Sequence, residues 1–460
     1  MDSQVSFELP NAFQQRADMV EAVETPFRRI QTAIPAPETT ASLDAAVAYF
    51  PRVNCYQPPV VWDRADGFQV FDKSGNCWID FSSTAVMTNT GHAHPRVRQA
   101  IVEYAESGML AHFSFAAELR VELAKKLIEI APPGLDKVYF WTTGSEALES
   151  AFRLCREFGR RAADSKHHLL CIDGDYHGCT FGAHQISGGE SDKPWVRHPD
   201  PAIHRLSFPT AEMIAESGET WDEWVARSIG KTGVEPAEFC GVFVETIQGW
   251  GAIPLPTGCV QAIRRWADAH QALLVFDEVQ TGFGRTGKWF GHQHYGVRAD
   301  LLCVGKGITS TLPLAAVLGP ADVLDVLAPG EVTTTHAGHP LSCAAALANL
   351  EVLSSEGMIE HAAEVGEIVR RELSDLRASF PRYIANVSGL GLLNALHITD
   401  PKTRQLSKSV ASELTGRVVR RGVMLFRTGK PSIKSCPPLV IPAAAAVDGV
   451  RAIGEALDRL

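Results

Sequence analysis

The chain has 460 residues, with 43 Lys and Arg against 53 Asp and Glu, a formal charge of −10. That acidic balance argues against nucleic acid or an anionic membrane as the main partner, since both select a basic surface. Hydrophobic residues at 45% and charged residues at 21% exclude general disorder.

Taken in chain order, the first 45 residues read as an arm. QTAIPAPETTASLD is rich in Pro, Thr and Ala without sustained periodicity, which predicts a surface segment or linker. The start, MDSQVSFELPN, lacks the basic and apolar regions of a signal peptide. From about Phe68, FQVFDKSGNCWIDF predicts two short strands around a turn at 73–76. Short apolar runs follow: KVYFW (137–141), HLLCI (168–172), CGVFVE (240–245), ALLVFDE (272–278) and LLCVG (301–305). Between them, SEALESAFRLCREFGRR and CVQAIRRWADAH carry apolar residues at helical spacing. Strands alternating with helices predict an α/β fold with a mostly parallel, doubly wound sheet. Beyond Leu341 a long helical stretch leads to strands near GLGLLNALHI and GVMLF and a last helix over 444–460. The expected organisation is an N-terminal arm and strands (1–80) packing with the small domain, a large domain (81–345), and a smaller C-terminal α/β domain (346–460).

No apolar stretch approaches the ~20 residues that span a bilayer. Ten cysteines are scattered, with no CxxC spacing, so a metal site or disulfide framework is not expected. Small buried thiols in a reducing, cytoplasmic setting are.

Ligands of such sheets bind beyond the carboxyl ends of the strands. After KVYFW, the run Thr142-Thr143-Gly144-Ser145-Glu146 opens a helix, offering free N–H groups and a hydroxyl to a phosphate, or simply an N-cap. Asp277 ends a buried strand, as the acid of a site or of a structural ion pair. Lys306 stands between two glycines after another apolar run. A buried lysine there becomes a free amine able to form Schiff bases, whereas a snorkelling surface lysine would not. Tyr176, in the loop after HLLCI, could stack on a ring or pack as a loop aromatic. Phosphate cradle, buried acid and imine-forming lysine together are the set that pyridoxal 5′-phosphate needs.

At this point the sequence resembles a known family. YFWTTGSEALESAFRLCR, DGDYHGCT, VFDEVQTGFGRTGKWF, DLLCVGKGI and THAGHPLSCAAALA look like successive signatures of the class III (subgroup II) pyridoxal-phosphate-dependent aminotransferases, and the likeness runs from about residue 50 to the C-terminus. The resemblance implies PLP fold type I and a homodimer. It implies that Lys306 holds the cofactor as a Schiff base and shuttles the proton, that Asp277 pairs with the pyridine nitrogen, and that Val279 packs on the ring. Gln280 would lie near the ring oxygen, Gly144 and Ser145 would hold the phosphate, Tyr176 would stack, and Glu245 would stand behind the site. Thr335 would reach the phosphate from the neighbouring subunit.

Three departures bear on substrate. Members using glutamate or 2-oxoglutarate place an arginine where this chain has Cys179, another where it has Lys434, and often a glutamate where it has Trp250. Lysine lacks the bidentate fork, so that exchange is not conservative. Arg427 and His339 instead match the ω-amino acid and amine:pyruvate branch, whose mobile arginine admits a carboxylate or an apolar group. Trp250 would add an apolar wall suited to a bulky or hydrophobic amine; core packing of Trp250 and a surface ion pair of Arg427 are the plainer readings. The expected reaction moves an amino group from a primary amine or ω-amino acid to a 2-oxo acid, pyruvate before 2-oxoglutarate, through the pyridoxamine form. Dialkylglycine decarboxylases, amino acid racemases and aminomutases share the framework and stay as alternatives. A remote one is a nicotinamide-dependent oxidoreductase built on GFGRTG (282–287), whose fingerprint requires a helix directly afterwards.

Overall fold

A seven-stranded sheet organises the larger part of the computed structural model, which describes residues 12–189 and 193–460. Its strands are β1 (Lys137–Trp141), β2 (His168–Ile172), β3 (Ile203–Leu206), β4 (Phe239–Glu245), β5 (Leu273–Asp277), β6 (Leu301–Val304) and β7 (Ala315–Gly319). Their spatial order is β1-β7-β6-β5-β4-β2-β3. All neighbours pair in parallel except β7, which is antiparallel to both β1 and β6. The near-continuous apolar runs follow from burial on both faces, where no polar alternation is needed. Every residue of β4, β5, β6 and β7 is buried. The register aligns Asp277 with Glu245 and with Cys303, so the carboxyl ends of the central strands finish level.

Helix α1 (Gly144–Ala162) shows how local sequence sets an element that matters for the site. Thr143 caps it, accepting from Glu146 N at 3.3 Å, while Glu146 Oε2 accepts from Thr142 N and Thr143 N, both at 2.9 Å. Such a reciprocal box stabilises a helix start by about 1 kcal/mol. Arg160 and Arg161 in the last turn complement the dipole. Ala147, Leu148, Ala151, Leu154 and Cys155 form one buried stripe that joins Leu169, Phe243, Val275 and Val317 of the sheet in a common core.

The chain divides into two compact units: Met1–His94 with Trp250–Ala252 and Gly357–Leu460, and Pro95–Gly249 with Ile253–Glu356, which holds the sheet above. The first unit carries an antiparallel sheet in the order Val23–Glu24, Arg29–Ile30, Cys77–Asp80, Gln69–Phe71, Arg64–Asp66, with Val423–Met424 added in parallel beside Cys77–Asp80. A second, three-stranded sheet pairs Ile384–Leu390, Leu393–Ile398 and Ser432–Ser435. Helices Thr40–Tyr49, Met358–Ser379, Lys408–Val419 and Ala443–Leu457 also belong to this unit.

The segment read as a surface arm is partly core. Ile30 and Ile34 are buried with Val70, Trp78 and Met424, and Ala33 and Ala36 are buried too. Arg28, 2% exposed, donates to Asp448 Oδ2 at 3.0 Å, Glu455 Oε1 at 2.7 Å and the Arg421 carbonyl at 2.7 Å. Single apolar residues inserted by an irregular chain leave no periodic signal, which is why sequence pattern misses them. The first eleven residues lie outside the described part. Among the described residues no helix is long and apolar enough to cross a membrane, and no group of three or more His, Cys, Asp or Glu is placed to hold a metal.

Candidate active site

The carboxyl ends of β1, β2, β4, β5 and β6 deliver Thr142 to Glu146, Asp175 to Cys179, Glu245, Asp277 and Lys306 to one edge of the sheet. Three of these segments interlock through glycines. A Cβ on Gly144 would lie 2.8 Å from Val279 Cγ1, and one on Gly305 would lie 3.3 Å from the same atom. At Gly178, φ is +131° and a Cβ would meet Ser145 Oγ at 2.2 Å. Cys179 N donates to Ser145 Oγ at 3.3 Å, which pins the loop after β2 over the start of α1.

Beneath these lies an acidic cluster. Asp277 Oδ2 is 2.9 Å from His177 Nδ1, and Asp277 Oδ1 accepts from Val279 N at 3.0 Å. Asp175 Oδ2 accepts from Glu245 N at 2.9 Å, and Glu245 accepts from Tyr176 N at 2.8 Å and Gly249 N at 3.1 Å. Burial, with Asp175 and Asp277 nearby, pushes the Glu245 carboxyl up to about 8. Burial likewise drives Asp175 well above the ordinary range. Both shifts run in the direction that favours the protonated acid. Burial pushes the Lys306 ammonium below its ordinary value, against the opposing pull of Asp277 and Glu245. Lys306 also sits at φ +42°, a region that costs a side-chain-bearing residue about 1–3 kcal/mol. Its Nζ donates no hydrogen bond within the described chain.

The structure therefore brings Gly144, Ser145, Tyr176, Glu245, Asp277, Val279, Gln280 and Lys306 to one edge of one unit. Tyr176 is 56% exposed, and its hydroxyl lies 3.1 Å from Cys179 Sγ. The phenol end is partly covered, and this desolvation first, then that thiol, raises the phenol. The Gln280 amide stands beside Gly249. Thr335 occupies an exposed loop of the same unit and makes no hydrogen bond to this group. Trp250 and Arg427 belong to the other unit.

Sequence reasoning passed over Asp175, His177 and Glu278. The first two flank Tyr176 in DGDYHG, and a carboxylate and imidazole bracketing a candidate aromatic were the available signal. Glu278 is fully buried and accepts from Gly291 N at 2.7 Å and His292 N at 2.6 Å. It ties down the glycine-rich stretch, where Phe283, Gly284 and Gly287 have positive φ. GFGRTG itself lies in consecutive turns, and bends followed by a short 3-10 segment at Gly291–His294 come after it. The helix a dinucleotide fingerprint requires is not there, and the nicotinamide alternative loses its support.

The family model for class III aminotransferases matches residues 52–457. The chain belongs to the class III aminotransferases. It is 31% identical over 401 residues to a probable 4-aminobutyrate aminotransferase of Bacillus subtilis, covering 84% of this chain and 90% of that one. It is 33% identical over 391 residues to a 5-aminovalerate aminotransferase of Pseudomonas putida, covering 83% and 89%. Among solved structures, an omega transaminase from Pseudomonas jessenii in complex with PMP superposes with a TM-score of 0.82 at 25% identity, covering 90% of this chain and 97% of that one.

This aminotransferase uses pyridoxal 5′-phosphate, the cofactor of its family. The residues present fit it. In the first turn of α1 the N–H groups of Gly144 and Ser145 meet no acceptor in the described chain, and the buried Thr142 hydroxyl has no partner. Two free amides at the positive end of a nineteen-residue helix are suited to a phosphate.

Proposed function

We propose that the enzyme is a homodimeric, cytoplasmic transaminase that takes the amino group of a primary amine or ω-amino acid and passes it to a 2-oxo acid, pyruvate in preference to 2-oxoglutarate. The observation carrying the acceptor preference is the state of Arg427. The residue is 4% exposed, its Nη1 donates to the Tyr56 carbonyl at 2.6 Å, and its Nε has no partner among the described residues. No carboxylate offsets the burial, which, with Arg420 nearby, pushes it down to about 10. A desolvated guanidinium without an acid gains most from an arriving carboxylate and can turn back to a carbonyl when the substrate has none. Cys179 and Lys434 supply no bidentate fork for a second carboxylate.

When bound, the cofactor supplies the electron sink that lets the substrate carbon lose its proton. Lys306 is the base for that proton, since burial favours its neutral amine. Asp277, oriented by His177 and the Val279 amide, would keep the pyridine nitrogen of the bound cofactor protonated. Gly144 and Ser145 would hold the phosphate, Tyr176 would pack on the ring, and Val279 and Gln280 would help to hold the ring and its oxygen. Glu245 braces the Tyr176 loop. The exposure of Thr335 leaves it available to a second subunit's phosphate. The two relatives named for 4-aminobutyrate and 5-aminovalerate, both ω-amino acids, support the donor class. Ten unpaired cysteines fit a reducing compartment.

Half-reactions on the holoenzyme test this. Primary amines and ω-amino acids should bleach the visible absorbance of the bound cofactor, and pyruvate should restore it faster than 2-oxoglutarate. Equal or faster recovery with 2-oxoglutarate would overturn the acceptor assignment.

A further inference from the structure

We infer that Ser388, His397 and Ser432 are positioning residues that hold Trp250 and thereby set how bulky an amine the enzyme accepts. The inference rests on the reading of Trp250 as a wall of the substrate site. Ser432 Oγ donates to the Trp250 carbonyl at 2.6 Å, and Ser388 Oγ donates to the Gly251 carbonyl at 2.5 Å. His397 Nε2 lies 2.8 Å from Ser388 Oγ and 3.1 Å from the Gly251 carbonyl. Its ring meets the Trp250 indole edge-on, with centroids 5.6 Å apart. Two successive carbonyls are thus held by three side chains, and the next residue, Ala252, is held at φ +49°.

The three side chains share one face of the small antiparallel sheet for a simple reason of register. His397 lies directly opposite Ser432, and Ser388 is opposite Ala395, two residues before His397. All three are buried, so each hydroxyl and imidazole must find a partner, and the carbonyls of 250 and 251 are that partner. Because Ser388 spends its proton on Gly251, its oxygen accepts from His397 Nε2–H, which selects the neutral Nε2–H tautomer. The chain His397, Ser388, Gly251 then fixes the backbone, and the imidazole ring restricts rotation of the indole. An aromatic wall discriminates by shape only as sharply as its own position is defined.

The test uses holoenzyme with Trp250 observed by 19F NMR of 5-fluorotryptophan protein, its signal assigned by Trp250→Phe. Ser432→Ala and His397→Gln should shift or broaden that signal. They should also change the KM ratio between 1-phenylethylamine and propylamine by about threefold to tenfold, the scale of one lost hydrogen bond, with the change in KM rather than kcat. Ser432→Thr should restore both, which a merely structural role does not require. Ser388→Ala gives a second, smaller truncation should either variant fold poorly. A KM ratio that Trp250→Gly moves but these variants do not overturns the inference alone. A ratio that Trp250→Gly also leaves unchanged overturns the reading of Trp250 and the inference with it.

Discussion

Replacing Gly178 by alanine tests the argument that the loop after β2 and the start of α1 form one cradle. The new Cβ would stand 2.2 Å from Ser145 Oγ, 2.7 Å from its Cβ and 2.9 Å from its Cα. Because the last of these is backbone, a rotamer change cannot relieve the overlap, and forcing such packing costs about 1–3 kcal/mol. The φ of +131° adds about 1–3 kcal/mol. Reduced freedom of the unfolded chain returns about 0.4–1 kcal/mol. Gly134 isolates the backbone contribution, since its φ is +95° and a Cβ there meets nothing within 4 Å. The Gly178→Ala enzyme should therefore be about 1–3 kcal/mol less stable than Gly134→Ala, the overlap contribution alone. At about 2–4 °C per kcal/mol for units of this size, melting should be lower by about 2–12 °C. Displacing Ser145 should also weaken cofactor binding by about tenfold or more, the scale of a hydrogen bond to a charged group. Melting curves of apoenzyme and a fluorescence titration with pyridoxal phosphate measure both. Equal melting of the two variants together with unchanged cofactor affinity would refute the cradle.

Lys306→Ala should reduce turnover by at least about 10²–10⁴-fold, and borohydride treatment should fix the cofactor to the Lys306 peptide of the parent enzyme only, read by mass spectrometry. Asp300 accepts from Arg264 at 2.6 Å, Arg298 at 2.7 Å and Leu274 N at 2.8 Å, so Asp300→Ala should destabilise by about 1–3 kcal/mol in denaturant titration, because the buried Leu274 amide loses its acceptor and Arg264 is left with Asp268 alone, at 2.9 Å. His168 Nδ1 and His204 Nε2 lie 2.9 Å apart, and both rings are pushed down, by burial first and then by neighbouring imidazoles. The unfolded chain binds the protons these rings refuse, so their contribution is present above the ordinary histidine value of about 6.5 and is lost as pH falls through and below it. His204→Gln should flatten the decline of melting temperature between about pH 7 and pH 5; an unchanged slope would place the acid sensitivity elsewhere.

Strands buried on both faces announce themselves, and β1, β2, β4, β5 and β6 lie where the apolar runs of the sequence fall. β3 does not, because His204 and Arg205 interrupt its four residues at the sheet edge. β7 is equally hard to see, being alanine-rich and short, with its antiparallel sense set by tertiary pairing that no local pattern encodes. Site legibility divides in the same way. Gly144, Ser145, Asp277 and Lys306 follow immediately on strand ends, where position along the chain implies position in the fold. The link from Asp175 to His177 to Asp277 joins residues a hundred apart, and the Ser388, His397 and Ser432 contacts to 250–251 are longer still. Such contacts exist only once register is set.

The lone exposed thiol among the cysteines has a practical consequence. Nine are buried, whereas Cys179 faces solvent next to the Tyr176 hydroxyl. A maleimide dye or a spin label added to the unmodified protein would therefore mark a single address, one residue past Gly178 and in contact with Ser145 through its own amide. Loading of the phosphate cradle then becomes something to watch directly, as a slowed labelling rate or a narrowed probe spectrum, with no substrate and no turnover.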